Sequence, residues 1–205
     1  MKVAVLGAGG KGGSEITREL LSRGHEVVVI GRTASNLPSG DGITAAPGDA
    51  SNVDELAGLI GGVDAVISAV HFDIPSATLL GAVKKAGVSR LLVMGGAASL
   101  KGADGVMLFD SPHFPEAIKP IVKPAITFLQ ELREETEVDW TFFSPAMNIF
   151  EGERKGPGSF KLGKDDLVTD ANGESNISYA DYAIAMVDEL EQHDHSRSRF
   201  TAAYA

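Results

Sequence analysis

The amino-acid sequence predicts an α/β fold built on a doubly wound parallel sheet. In its first half, apolar runs of strand length alternate with patterns of helical period, and glycine-containing turns separate the two. Apolar runs of this kind are typical of parallel strands that are buried on both faces. Right-handed crossovers then place the connecting helices on both sides of the sheet. The 205 residues are enough for one domain with a sizeable core.

The first predicted unit is a strand, a glycine turn and a helix. The apolar run from Val3 to Leu6 breaks directly into Gly7-Ala8-Gly9-Gly10-Lys11-Gly12-Gly13, and a helical pattern follows up to Arg23-Gly24. Backbone amides and the helix dipole converge at such a helix start, which suits a pyrophosphate group. In this interpretation Gly7 permits the tight turn, Gly10 lets the diphosphate approach the backbone, and Gly13 lets the helix pack close to the strand.

The remaining elements of the first half continue the alternation. Further strands are predicted at residues 26–30, 43–46, 64–70 and 90–94. Ser51 is a candidate cap for the helix after the third strand, with Asp54 as its capping-box partner. Pro75 is expected to be the first residue of the next helix, which ends at Gly87. Because parallel strands end at one edge of a sheet, the segments that follow them share the rim where ligands bind in this fold class.

The second half of the chain is less regular. Its prolines predict a loop or a broken helix over residues 100–124, followed by a helix at about 124–136 and a strand at 139–143. Residues 151–177 are rich in glycine and predict loops with a short β-ribbon that could close over a site. Ser178 is expected to cap the last helix, with Asp181 as its partner, and residues 200–204 form a closing strand.

Composition excludes several classes of site and partner. The net charge of −10 argues against nucleic acid and anionic membranes. Without cysteine the chain has no disulfide, thiolate nucleophile or cysteine-based metal site, and we expect no metal. The apolar start is too short for a signal sequence, and no run is long enough to span a membrane. We therefore expect a cytoplasmic monomer or homodimer that acts on a small molecule.

Arg32, just after the second strand, indicates which nucleotide would bind. Sites for NAD usually hold the ribose hydroxyls with an acidic residue at this position, whereas a guanidinium suits a 2′-phosphate. With Thr33 beside it, Arg32 favours NADP(H) over NAD(H), although an arginine at a strand end could also be merely solvated. The same residue counts against a methyltransferase, because that class also needs an acid here. Lys11 could add positive charge near the phosphates.

The other strand ends complete the predicted cofactor site. Asp49 could accept a hydrogen bond from the adenine amine or cap the following helix, and Ala50 lies beside it. The stretch Ser68-Ala69-Val70 is expected to pack along the adenosine ribose, while a direct role for His71 is less favoured. The remaining candidates follow the fifth and sixth strands, at Gly95, Gly96, Ser144, Pro145 and Ala146.

These segments resemble the NmrA-like branch of the atypical short-chain dehydrogenase/reductase superfamily, which includes NADH-flavin reductases and NAD(P)H-binding proteins. The matching stretches run from end to end of the chain, at residues 7–13, 31–32, 48–50, 64–69, 90–97, 139–145 and 177–183. The resemblance implies an NAD(P)-binding Rossmann fold over residues 1–205, with the cofactor half at about 1–100. The rest, about 101–205, would form a small irregular subregion on the side of the substrate.

One departure from the superfamily bears on the chemistry. Most members reduce carbonyls with a Tyr-x-x-x-Lys pair, whose tyrosine donates a proton. The tyrosines here are Tyr179, Tyr182 and Tyr204, and none has a lysine four residues later. Lys119 and Lys123 have that spacing, but a lysine takes the tyrosine's place and each precedes a proline, which disfavours a helix. Lys123 could still reach the nicotinamide ribose.

The missing pair leads to a prediction of the reaction class. A carbonyl needs a placed proton donor, whereas a flavin or quinone that receives a hydride can take its protons from solvent. We therefore predict NADPH-dependent reduction of a flavin or quinone, with FMN or another flavin as substrate rather than bound cofactor. The alternative is a non-catalytic protein that senses NADP(H). The acceptor is expected between residues 95–99, residues 144–148 and the loop around His113, where Ser99 and His113 are candidate hydrogen-bonding residues.

Overall fold

The computed structural model describes residues 1–205 and contains ten strands and five α-helices. The strands are β1 (Lys2–Leu6), β2 (Glu26–Gly31), β3 (Ile43–Pro47), β4 (Ala65–Ser68), β5 (Arg90–Met94), β6 (Asp139–Ser144), β7 (Asn148–Phe150), β8 (Phe160–Gly163), β9 (Asn176–Ser178) and β10 (Ser198–Tyr204). Eight of them form one sheet in the order β3-β2-β1-β4-β5-β6-β10-β8. Only β8 runs antiparallel, against β10, while β7 and β9 form a separate parallel pair.

The helices lie on both faces of the sheet and bury two apolar cores. They are α1 (Lys11–Ser22), α2 (Val53–Leu59), α3 (Ser76–Lys85), α4 (Lys119–Arg133) and α5 (Tyr179–Gln192). Val3 and Val5 of β1 pack towards α1 and α5, while Ala4 and Leu6 pack towards α2, α3 and α4. This alternation follows from the period of two residues in a strand, and it confirms the predicted doubly wound sheet.

The strand order reverses around β1. In register, Val5 lies opposite Val29 of β2 on one side and Ile67 of β4 on the other. The connections that leave β1 and β4 therefore run in different directions along the sheet and leave a crevice at the carboxyl ends of the strands. The glycine turn after β1 lies at this crevice.

Most predicted elements occur, with shifts at their ends that have local causes. Asn52, not Ser51, caps α2, because its side-chain oxygen accepts hydrogen bonds from the Asp54 and Glu55 amides, both at 3.0 Å. Pro75 is the N-cap of α3 rather than its first residue, and β4 already ends at Ser68. The capping of α5 is as predicted, since the Asp181 amide donates to the Ser178 hydroxyl at 3.1 Å.

The prediction for α4 was wrong at its start. The helix begins at Lys119 and runs through both Pro120 and Pro124, so that Lys119 and Lys123 are helical. Pro120 lies in the first turn, where the backbone amide has no helical partner, so its missing N–H removes no bond there. Pro124 removes one bond farther in, and the buried side chains that follow it, among them Phe128 and Leu129, pack the helix onto the sheet.

The glycine-rich residues 151–177 do not form one ribbon of their own. Their strand β8 extends the main sheet beside β10, from Gly163 opposite Thr201 to Phe160 opposite Tyr204. The short strand β9 begins at the end of this stretch and pairs with β7. None of the helices combines the length and the apolar character that crossing a membrane requires.

Candidate functional site

The glycine turn after β1 contains glycines that are required for different reasons. Gly7 has a φ of +79°, and a Cβ there would lie 2.8 Å from the carbonyl oxygen of Ala69. A Cβ on Gly13 would lie 2.1 Å from the Gly7 oxygen, so only glycine lets α1 pack this close to the turn. The nearest atom to a Cβ on Gly10 would be 3.4 Å away, which leaves that position open.

The start of α1 has free hydrogen-bond donors. No side chain caps the helix, and the Gly10 amide donates to the Gly7 oxygen at 3.0 Å. The first helical hydrogen bond is donated by the Ser14 amide to the Gly10 oxygen. The amides of Lys11, Gly12 and Gly13 donate to no protein acceptor. An uncapped helix start with free amides fits the diphosphate of a dinucleotide.

A groove of about 490 Å³, here called the rim groove, runs along the carboxyl ends of β2, β1 and β4. Many residues predicted to bind the cofactor line it, namely Gly7, Gly10, Arg32, Asp49, Ala50, Ala69 and Val70. Five other lining residues were not predicted to bind the cofactor, namely Gly31, Gly48, Ser51, Asp73 and Ile74. The loop after β4 contributes His71, Asp73 and Ile74 to the lining.

Three charged side chains line the rim groove, namely Arg32, Asp49 and Asp73. Arg32 is exposed and forms no salt bridge, but its positive charge helps to lower the pKa of Asp49. Asp49 accepts hydrogen bonds from the Ser51 amide at 2.9 Å and the Ser51 hydroxyl at 2.8 Å, and these bonds hold the pKa of its carboxyl below the usual value. Asp49 does not cap α2, since Asn52 does, so its second carboxylate oxygen remains free for a ligand.

Several predicted cofactor residues lie outside the lining of the rim groove. Ala8 and Ser68 are buried, and Thr33 precedes a short 3₁₀ turn at Ala34–Asn36. Gly9 packs near the Asn36 oxygen, and Gly12 faces the Met94 side chain at the end of β5. Lys11 is exposed, and its Nζ forms an ion pair with Glu151 Oε2 at 2.8 Å.

A second cavity of about 500 Å³, here called the apolar cavity, follows the ends of β5 and β6. It brings together the three segments between which the acceptor was predicted. Ala97 and Ala98 come from the first, Pro145, Ala146 and Met147 from the second, and His113, Phe114 and Pro115 from the proline-rich loop. The other lining residues are Leu108, Ser111, Ile118, Val122 and Ile149.

Ser99 and Lys123 do not line the apolar cavity. The Ser99 hydroxyl accepts a hydrogen bond from Nη1 of Arg199 at 3.2 Å, and the same nitrogen donates to the Ser144 hydroxyl at 3.3 Å. Lys123 lies on a different groove, between α3 and α4 beside Phe72 and Ile74. Gly95 lies against the Phe142 ring, where a Cβ would come within 2.2 Å.

Arg199 is a site-forming residue that the sequence did not reveal. It is 6% exposed, and besides the two hydroxyls its Nε donates to Asp165 Oδ1 at 2.9 Å. It thereby joins the segments after β5 and β6 to the loop after β8. The closing strand was predicted from Phe200, which left Arg199 outside it, and no local pattern marks an arginine as buried.

The tyrosines occupy other places than the rim groove and the apolar cavity. Tyr182 is buried, stacks on Phe143 and donates to its carbonyl oxygen at 2.7 Å, and burial raises the pKa of Tyr182 well above the usual value. Tyr204 donates to Asp181 at 2.6 Å and lies 3.7 Å below the Lys155 amine, beside a separate polar cavity. The ring of Tyr179 lies near Gly12, and no tyrosine lines either site.

Comparison with known proteins identifies the family. The sequence profile of a family described as NAD(P)H-binding matches residues 7–193. The chain is 37% identical over 209 residues to the uncharacterised protein YwnB of Bacillus subtilis (strain 168), and the match covers 98% of this chain and 97% of that protein.

Two solved structures are similar over almost the whole chain. A proposed epimerase from Bacteroides thetaiotaomicron is 42% identical, with a TM-score of 0.92, over 99% of this chain and 96% of that one. A proposed NADH-flavin reductase from Streptococcus pneumoniae TIGR4 is 35% identical, with a TM-score of 0.83, over 100% of both chains. Together with the glycine turn, the uncapped helix start and the doubly wound sheet, these findings show that the chain belongs to the NAD(P)H-binding oxidoreductases, in the NmrA-like branch of the atypical short-chain dehydrogenases/reductases.

Proposed function

We propose that this protein is an NADPH-dependent reductase that passes a hydride directly to a flavin or a quinone. The observation that carries the proposal is the pair of sites on one rim of the sheet. The rim groove has charged groups and adjoins the free amides at the start of α1, whereas the apolar cavity has room for a ring compound and contains no tyrosine, lysine or arginine. The name of the Streptococcus pneumoniae relative, an NADH-flavin reductase, agrees with this reaction class.

The rim groove and the adjoining start of α1 have distinct proposed roles towards the cofactor. The free amides of Lys11, Gly12 and Gly13 at the start of α1 would hold the diphosphate, and Ala69 and Val70 would pack against the adenosine. Arg32, which forms no salt bridge in the protein, is suited to the 2′-phosphate and therefore favours NADP(H) over NAD(H). When bound, the cofactor supplies the hydride.

The proposed cofactor site and the proposed acceptor site are formed by successive parts of the chain. The rim groove is lined by residues 7–74 and the apolar cavity by residues 97–149, which supports a cofactor half at about 1–100 and an acceptor half beyond it. Within the apolar cavity only Ser111 and His113 can hydrogen-bond an acceptor through side chains. We propose that the protein acts in the cytoplasm, on a small molecule and not on nucleic acid, as a monomer or homodimer.

The test is steady-state oxidation of NADPH with flavins, quinones and a panel of aldehydes and ketones. We expect turnover with flavins or quinones and little with carbonyl compounds, because the apolar cavity has no tyrosine–lysine pair to protonate the alkoxide that a carbonyl would form. Strong NADPH oxidation by aldehydes or ketones would contradict the proposal. Tight NADPH binding without turnover of any acceptor would favour the alternative function, a sensor of NADP(H).

A further inference from the structure

The apolar cavity also restricts the charge of its ligand. We propose that it takes an uncharged ring compound, a quinone or a flavin without a phosphate, and that it discriminates against FMN. This inference rests on the proposed function, since it names the acceptor of the same site. It starts from the lining of the apolar cavity, in which side chains such as Phe114, Ile118, Val122, Met147 and Ile149 surround about 500 Å³ and neither lysine nor arginine takes part.

The lysines and arginines near the apolar cavity do not enter its lining. Lys119 pairs with Glu116 and lies 5.4 Å from the centre of the Phe109 ring. Arg199 is buried and is held by Asp165 and two serine hydroxyls. Lys101 is exposed outside the lining, and Lys123 lies on the groove between α3 and α4. The phosphate of an FMN molecule in the apolar cavity would therefore find no lysine or arginine in the lining.

Two of the exposed side chains in the lining of the apolar cavity are apolar. Ile118 is 39% exposed and Met147 is 61% exposed, and both belong to the lining. A phosphate that leaves the apolar cavity past these side chains loses part of its hydration and meets no lysine or arginine in the lining, which costs free energy. The net charge of −10 adds a long-range repulsion of anions. An uncharged ring meets neither cost and buries its faces against aliphatic and aromatic side chains.

The lining still provides hydrogen bonds for an uncharged acceptor. The Ser111 hydroxyl accepts from the His113 amide at 3.3 Å and can donate its own proton to a ligand. The His113 ring lines the apolar cavity and is exposed at its edge. A quinone or an isoalloxazine ring has carbonyl oxygens that can accept such bonds.

The first experiment compares riboflavin, FMN and menadione as acceptors for the intact protein with NADPH. We expect a KM for FMN at least about tenfold above that for riboflavin, with menadione also used. A KM for FMN equal to or below that for riboflavin would overturn the inference.

Two matched variants test whether the missing cation is the reason. Ile118→Lys places a positive charge in the lining, and we expect it to lower the KM for FMN several-fold without improving riboflavin. Ile121→Lys adds the same charge at a residue that is 75% exposed and outside the lining, and it should leave the ratio of the two KM values unchanged. Equal effects of the two variants would contradict a role for this site.

A binding measurement separates this inference from the proposed function. Quenching of flavin fluorescence by the NADP⁺-saturated protein reports binding without turnover. Tighter binding of riboflavin than of FMN supports the inference even if no hydride is transferred, in which case only the proposed function fails. Equal or tighter binding of FMN overturns the inference whatever the turnover assay shows, and so does binding of neither flavin when menadione is not reduced either.

Discussion

The rim groove and the apolar cavity lie on the same rim of the sheet but are built differently. Backbone forms much of the rim groove and its surroundings, through the glycines Gly7, Gly10, Gly31 and Gly48 in the lining and through the free amides at the adjoining start of α1. Side chains form the apolar cavity, and they come from three segments that are far apart in sequence. The difference shows that a short local motif specifies much of the rim groove, whereas the apolar cavity is assembled from segments that are distant in the sequence.

The two sites are also held in place differently. The turn beneath the rim groove is fixed by close backbone contacts between β1, β4 and α1, such as the approach of Gly13 to the Gly7 oxygen. The apolar cavity depends on Arg199, which joins Ser99, Ser144 and the Asp165 loop. Substitutions in the rim groove should therefore affect the cofactor alone, whereas substitutions around Arg199 should affect the acceptor and stability together.

The largest effect is expected for Gly10→Val. The position has room for a side chain and an extended backbone, with φ −81° and ψ 169°, so the variant should fold. The added side chain would fill the space that the diphosphate needs, and affinity for NADPH should fall by at least about a hundredfold. Titration calorimetry measures the loss, and thermal unfolding checks the fold.

Gly58→Val is the matched control, at a helical glycine where an added Cβ would meet no neighbouring atom within 4 Å, and it should bind NADPH normally. Normal NADPH binding by Gly10→Val would show that the dinucleotide lies elsewhere.

The next effect concerns Arg32→Ala. Loss of a charge-assisted pair with the 2′-phosphate should weaken NADPH binding by about 1.5–3 kcal/mol and leave NADH nearly unchanged. Calorimetry with both cofactors measures the difference. Arg18→Ala removes the same charge from an exposed arginine that pairs with Glu15 on α1, and it should change neither affinity. Equal affinities for NADPH and NADH in the unmutated protein would rule out the proposed role of Arg32.

Arg199→Gln should alter the acceptor site and leave the cofactor site intact. The variant leaves Asp165 without its buried partner, and we expect the free energy of unfolding to fall by about 2 kcal/mol. Because the three segments that Arg199 joins would loosen, the KM for the acceptor should rise while the Kd for NADPH stays the same. Urea unfolding and steady-state kinetics test the two parts separately. An unchanged acceptor KM in a destabilised variant would limit Arg199 to a purely structural role.

The smallest effect is expected at the ion pair between Lys11 and Glu151. Glu151→Gln removes a negative charge beside the proposed diphosphate position and frees Lys11, so NADPH should bind more tightly, by less than about threefold. The gain should disappear at high salt, because both side chains are exposed and screened by ions. Calorimetry at low and high ionic strength measures it. Weaker NADPH binding by Glu151→Gln would mean that the ion pair supports the groove rather than competing with the cofactor.

The sequence alone determined the doubly wound sheet, the glycine turn and the family. These features depend on short stretches, because the period of apolar residues and the conformational needs of glycine act within a few residues of the chain. For this reason the bounds of β5, the end of β1 and the cap of α5 at Ser178 match the structure. The α2 cap was missed by one residue, since Ser51 and Asn52 are equally suited to the position by type.

Only the tertiary structure decided which candidates meet in the apolar cavity. His113 lines the apolar cavity, whereas Ser99 bonds to Arg199 and Lys123 lies on the groove between α3 and α4. The position of each side chain depends on how α4 and β10 pack against the sheet. The same packing keeps α4 helical through Pro124, against the local preference of the chain. The burial of Arg199 likewise needs partners from distant segments, and no pattern within one segment can specify them.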